Sequence, residues 1–303
     1  AESAVNNDLK AALAEHTFDS LDEVQAFAND FMQQRNHKGL KEFHDLSPDQ
    51  MYRFFNAPFD SPELVVFNNN FEDIESPMFS IFLSIADAIG DGELKGTAKG
   101  NLPAKLCKQI AVEQAPYLSR LFFDPSYINK QDDFMELGIV LHTTDLASLI
   151  KKAKGKFRLT DKCRKLLAEN KLSTLYLELL KIYATKYNWG YNDGYSELDI
   201  IQQSFLFTLY LLNKYGSEYK TSSFYEDCFA EAYPAAIHEI EPTSYSTPER
   251  CLRRCYSLRA LERFASFTGL ADIKRPEDKT ERLFDKFSIR KSKLFEKAIE
   301  FKI

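Results

Sequence analysis

No catalytic signature stands out in this sequence. The glycine-rich dinucleotide fingerprint, the Walker A loop, HExxH and the nucleophile elbow are all absent. The five histidines (His16, His37, His44, His142, His238) show no ligand spacing. The five cysteines (Cys107, Cys163, Cys228, Cys251, Cys255) are odd in number and scattered, without a CxxC. That fits the reduced thiols of a cytoplasmic protein better than a disulfide framework. No apolar run approaches the roughly 18 residues that span a bilayer. The longest, Phe205–Leu212, is shorter and is interrupted by Thr208. No signal-type apolar segment opens the sequence, so a cytoplasmic location without membrane contact is expected. A net charge of −6 excludes a uniformly basic nucleic-acid binder but not one with a local basic face.

What the chain does have is length and aromatic mass. Its 303 residues suffice for two cores, and 25 Phe with 15 Tyr supply large apolar side chains to fill them. The first 62 residues read as a helical N-terminal region. Ser20-Leu21-Asp22-Glu23 and Ser47-Pro48-Asp49-Gln50 are both capping boxes, the second with proline at the first helical position. Pro58 and Pro62 then break the pattern.

Two similar runs of elements follow. In residues 63–170, an apolar helix (Met78 to Ile89) stops at Gly90-Asp91-Gly92, and a short strand lies around Glu93–Thr97. A helix carrying Leu106 and Ile110 comes next, then an irregular stretch over 116–140. Thr143 or Thr144 caps a short helix that leads into a hairpin. The hairpin strands are Leu149–Lys152 and Lys156–Leu159, with Thr160 or Asp161 capping the helix behind them. In residues 171–303, a connecting helix ends in the aromatic loop Asn188–Tyr195, and Ser196 caps an apolar helix through Tyr215. A strand near Glu218–Thr221 and a helix over Phe224–Ala232 come next. A longer helix capped by Thr247 and closed by Gly269 leads to a second hairpin, Leu270–Lys274 with Lys286–Arg290. A last helix spans Lys293–Phe301. The two runs are offset by 125 residues at Glu-x-Lys and by 130 at the hairpin. The spacing predicts a mainly α protein with short β-hairpins: two winged-helix-like units plus the helical N-terminal region.

The segment GKFRLTDKCRKLL (Gly155–Leu167) resembles the wing and following helix of MarR-like and PadR-like winged-helix proteins, with Cys163 at the place of a common glycine. As a whole the chain resembles a family of uncharacterised bacterial proteins. The resemblance lies in LSPDQMYRFFNAPFDSP (Leu46–Pro62), LKGTAKGNLPAKL (Leu94–Leu106), the wing, and Tyr187–Gly216. It implies a fold and brings no catalytic residues with it.

Between Lys151 and Lys165 stand eight basic residues and one acid, Asp161. On a wing, Lys151, Lys152, Lys154, Lys156 and Arg158 would contact phosphates while the preceding helix, with Thr143 and Thr144, enters a groove. The second hairpin mixes Lys274, Arg275, Lys279, Arg282 and Lys286 with Asp272, Glu277, Asp278, Glu281 and Asp285, the pattern of a solvated surface. Arg250, Arg253 and Arg254 share one helix face and Arg259 and Arg263 another, which favours surface salt bridges over a single anion site. Cys251 and Cys255, one turn apart, read as buried apolar residues rather than a metal pair. The aromatic loop reads as packing at a junction.

The expected function is non-enzymatic nucleic-acid binding or regulation through the basic wing, with no metal or cofactor. The alternative is a scaffold whose winged-helix units pack against a protein partner or a second copy of the chain. A metal-dependent nuclease using Glu93-x-Lys95 ranks behind both.

Overall fold

The computed structural model describes residues 9–118, 123–191, 193–241, 246–276 and 287–303. The chain divides into two compact units, Ala1–Ala57 and Pro58–Ile303. In the first, α1 (Leu21–His37) and α2 (Pro48–Asn56) start where their caps place them. Ser20 Oγ accepts from the Glu23 N–H at 3.2 Å, while the Glu23 carboxylate reaches back one residue further, to the Asp19 N–H. At Ser47 the box is complete: Ser47 accepts from the Gln50 N–H, and Gln50 Oε1 accepts from the Ser47 N–H at 2.8 Å. Two orphan donors at the helix end are thereby satisfied at once.

The second unit is mainly helical with small antiparallel sheets. Its first run is α3 (Pro77–Ile89), β2 (Leu94–Lys95), α4 (Ala104–Gln114), α5 (Met135–Leu146), and a hairpin of β3 (Ile150–Ala153) and β4 (Lys156–Leu159). β2 pairs with β4, giving the order β2-β4-β3. α6 (Asp161–Ala168) and α7 (Leu172–Thr185) connect this run to the next. The second run is α8 (Asp199–Gln203), α9 (Phe205–Tyr215), β5 (Lys220–Thr221), α10 (Ser222–Ala232), α11 (Pro248–Tyr256) continued by a π-helix (Ser257–Ser266), then β6 (Ala271–Lys274) and β7 (Ser288–Lys291). Its strand order, β5-β7-β6, repeats the first. α12 (Lys293–Ala298) and β8 (Ile299–Phe301) close the unit, with β8 antiparallel to β1 (Val65–Phe67).

Burial follows the apolar pattern. α3 and α9 are apolar nearly all round and are buried accordingly, with Phe205 to Leu212 of α9 wholly inside. The first hairpin turns in two residues, Lys154 (φ 51°) and Gly155 (φ 73°). Positive φ at both central positions matches the right-handed twist of the flanking strands. Gly269 has φ 83°, and a Cβ there would lie 2.3 Å from the Glu75 carbonyl oxygen. The backbone of α3's approach passes directly over it. No helix among the described residues is long and apolar enough to cross a membrane.

Four local expectations need correction. α5 begins at Met135, inside the stretch read as irregular, so Thr143 and Thr144 lie near its end rather than at its cap. Each satisfies its hydroxyl on its own helix, donating to the carbonyls of Ile139 and Leu141 at 2.8 Å. Ser196 does not cap the next helix. α8 starts at Asp199 and the chain breaks at Ser204 before α9. The final helix stops at Ala298 because the β-branched Ile299 joins a strand pair. The second hairpin uses Ser288–Lys291; Lys286, with all of 277–286, lies outside the described residues.

Candidate functional site

The first three-stranded sheet has one face inward and one outward. Phe157 and Leu159 of β4 are buried, while Lys156 and Arg158 point the other way. Residues paired across antiparallel strands share a face, so Lys95 stands beside Lys156 and Lys151 beside Arg158. Glu93, just before β2, forms ion pairs with both Lys156 and Arg158. Four cations therefore share the outer face, and two of them, Lys156 and Arg158, pair with Glu93.

More lysines collect at the turn. The N–H of Gly96 donates to the Gly155 carbonyl at 2.8 Å, which ties the Gly96–Asn101 loop and its exposed Lys99 to the hairpin turn. Lys152 lies with its Nζ 5.7 Å from the Phe157 ring centroid and close to Gly100. Lys95, Lys99, Lys151, Lys152 and Lys154 are all exposed, and none has a carboxylate partner among the described residues. Further along, Lys162 pairs with Glu178, Lys165 stands 4.0 Å from Glu169, and the Nε of Arg164 is buried.

Of the sequence-predicted residues, the fold sets Lys151, Lys156 and Arg158 on the outer face, Lys154 in the turn, and Lys152, paired with Phe157, on the opposite face. Thr143 and Thr144 it takes away: both are fully buried, so they are not presented to any groove. The helix that carries them is itself covered. Along α5 only His142 and Asp145 are exposed, and the His142 ring meets Tyr187 edge-on at 5.5 Å. The Glu93 carboxylate is engaged by two cations rather than open to a metal. No cluster of His, Cys, Asp and Glu among the described residues is arranged to hold an ion. The buried thiols are far from thiolate chemistry: desolvation pushes Cys163 up to about 11 and Cys255 up to about 12.

In the second sheet both cations of β7 are paired, while Lys220 of β5 and Lys274 of β6 are exposed. Arg290 of β7 pairs with its cross-strand neighbour Asp272 at 3.1 Å and stacks over Tyr219. Lys291 pairs with Glu296. The second run places its charge inside instead. Arg259, read from sequence as a surface residue, is 3% exposed and grips the fully buried Asp193 with Nε and Nη2 at 2.7 and 3.0 Å. Nη2 also donates to the Ser196 carbonyl. This fork holds the aromatic loop down. Trp189 stacks on Phe264 of the π-helix with centroids 4.6 Å apart, and its Nε1–H donates to the Tyr183 carbonyl. Trp189 is therefore packing, whereas Tyr191 of the same loop is 65% exposed. Sequence reasoning missed the Asp193–Arg259 pair, although Arg259 and Arg263 at i, i+4 on one helix face were its signal.

Comparison with family profiles, curated proteins and solved structures finds no match for this chain.

Proposed function

We propose that this is a non-enzymatic nucleic-acid-binding protein built on two winged-helix-like units. In this reading the first wing tracks a duplex phosphate backbone without reading base sequence. The observation that carries it is a set of exposed lysines without carboxylate partners on the first hairpin and on the strand and loop beside it: Lys95, Lys99, Lys151, Lys152 and Lys154. Lysine is a flexible point charge suited to phosphate, whereas base readout favours Arg, Asn and Gln at fixed geometry. The burial of α5 supports a contact indifferent to sequence, since the helix that would enter the groove faces the core. A duplex fits better than a single strand because the wing's aromatic, Phe157, is 4% exposed and offers no stacking platform. Reduced, buried thiols accord with a cytoplasmic setting.

Fluorescence anisotropy with duplex and single-stranded DNA and RNA across a salt series tests the reading. The expected duplex affinity is weak, of order 10⁻⁴–10⁻⁶ M at physiological salt, with a steep salt slope. Changing Lys151, Lys152 and Lys154 together to Ala lowers that slope by about 3, roughly one per lost phosphate contact. No binding at low salt, or an unchanged slope in the triple variant, overturns it.

A second reading has its own support. A helix equivalent to α5 that is sealed by its own chain suits a scaffold whose surface meets an acidic protein partner or another copy of the chain. Light scattering distinguishes the copy: a monomer at every concentration removes it.

A further inference from the structure

Arg263, on the π-helix, is a half-buried cation in search of an acceptor. Its side chain is 15% exposed and its Nε is buried without a partner. The terminal nitrogens do little better. Nη2 faces the Met135 sulfur at 3.5 Å, and Nη1 lies 3.7 Å from Asp193, beyond hydrogen-bonding range. Asp193 is already committed to Arg259. A guanidinium carries five donors, and this one meets no oxygen at hydrogen-bonding distance among the described residues. Leaving a buried charged donor unsatisfied is expensive, and such groups call for an explanation.

The same side chain lines a cavity of about 330 Å³ between α3, α5 and the π-helix. Its walls are largely apolar, with Met135, Ile139, Leu258 and Phe267 around the guanidinium. The volume lies in the range of small-molecule sites, which pair apolar walls with a few placed polar groups. The wall is also unusual in its backbone. π-helical turns are rare and concentrate at functional sites, and here the Phe267 N–H bonds to the Glu262 carbonyl five residues back. The Arg263 carbonyl is served from outside the helix, accepting from the Tyr183 hydroxyl at 2.6 Å.

We propose that this cavity binds a small monocarboxylate with an apolar body, the carboxylate lying in the fork of Arg263. One negative charge fits better than two. The largely apolar walls give the further oxygens of a phosphate-like dianion little to bond. The neighbouring carboxylate of Glu262 is held by Arg275 and does not compete for Arg263. The fork's planar geometry matches a carboxylate bidentately.

Calorimetric titration of the full chain with octanoate and phenylacetate tests this, with octanamide, phenylacetamide and acetate as controls. The acids bind saturably at one per chain, and both amides and acetate bind at least about tenfold more weakly, a difference of about 1.4 kcal/mol. Arg263→Met abolishes the preference for acid over amide. Leu258→Trp, at a half-buried wall position, fills the cavity and removes binding of all five probes while circular dichroism and urea unfolding report an intact fold. Absence of saturable binding of both acids to the folded wild type at millimolar concentration overturns the proposal. So does equal affinity for acid and amide, or for acetate, and so does acid binding that survives Arg263→Met. None of these outcomes bears on the wing, whose binding is read separately by the salt series.

Discussion

The two three-stranded sheets share a strand order and a helical lead-in, yet they handle charge in opposite ways. The first carries Lys95, Lys151, Lys156 and Arg158 outward, with one carboxylate, Glu93, paired with the last two. The second pairs Arg290 with Asp272 on the strand beside it, leaves Lys220 and Lys274 exposed, and belongs to a run that buries the Asp193–Arg259 pair. Topology is therefore indifferent to where charge goes. An outward cation in water contributes little to stability and remains available to a partner. An inward one is costly unless it is compensated, as Arg259 is by Asp193.

If that contrast is correct, the largest effect comes from the inward charge. Asp193→Ala leaves Arg259 buried without its carboxylate and lowers unfolding free energy by about 3–5 kcal/mol, read by urea denaturation. Changing Lys151, Lys152 and Lys154 of the first hairpin together to Ala changes it by less than about 0.5 kcal/mol. Comparable losses in both would break the distinction.

The glycines beside the two hairpins sharpen the same comparison. Gly269→Ala meets both a positive φ and the Glu75 carbonyl, and costs about 2–5 kcal/mol. Gly155→Ala, with nothing within 4 Å, bears only the backbone penalty of about 1–2 kcal/mol. Thermal unfolding of the two variants side by side measures the gap.

A smaller effect lies in pH. Burial raises the pKa of Glu226 on α10 above its ordinary 4.5, although Ser257 donates a hydrogen bond to it at 2.6 Å. A carboxyl raised in the folded state adds stability below 4.5 that disappears as pH climbs through the raised value. Glu226→Gln keeps the hydrogen bond and drops the charge. It should therefore unfold later than wild type near neutrality and lose that advantage in acid. A pH-independent difference would place the effect elsewhere. Smallest of all is Asp272→Asn, which unpairs an ion pair whose partners are each nearly half exposed. Its expected cost is below about 0.5 kcal/mol by chemical denaturation.

The parts of this fold written in local chemistry could be read from the residues. Ser47-Pro-Asp-Gln makes its cap, Gly90 ends α3, and Lys154-Gly155 turns the first hairpin. What escaped was decided at a distance. α5 is uniformly apolar on its inner turns, so no periodicity marked its start, and its two threonines looked like caps because their hydroxyls bond locally in either setting. The lysine cluster was half visible. Lys151, Lys152 and Lys154 are contiguous in sequence, whereas Lys95 and Lys99 join them only through strand pairing and the Gly96–Gly155 bond. Arg263 gave no sign of its missing acceptor, because the carboxylate that would have served it is taken by Arg259 across a long loop closure.

The β1–β8 clasp has a consequence for how the protein comes into being. Val65 pairs with Phe301 and Phe67 with Ile299, so everything between is enclosed in one chain loop. A ribosome delivers residues in order, and β1 must wait as a bare three-residue edge until nearly all of the unit has emerged. Such long-range closure is slow, which leaves a window in which chaperones meet the nascent chain. The clasp is also loaded as a zipper. Tension applied at Val65 and Phe301 would part its few bonds one after another, so the molecule should open at this seam first when pulled.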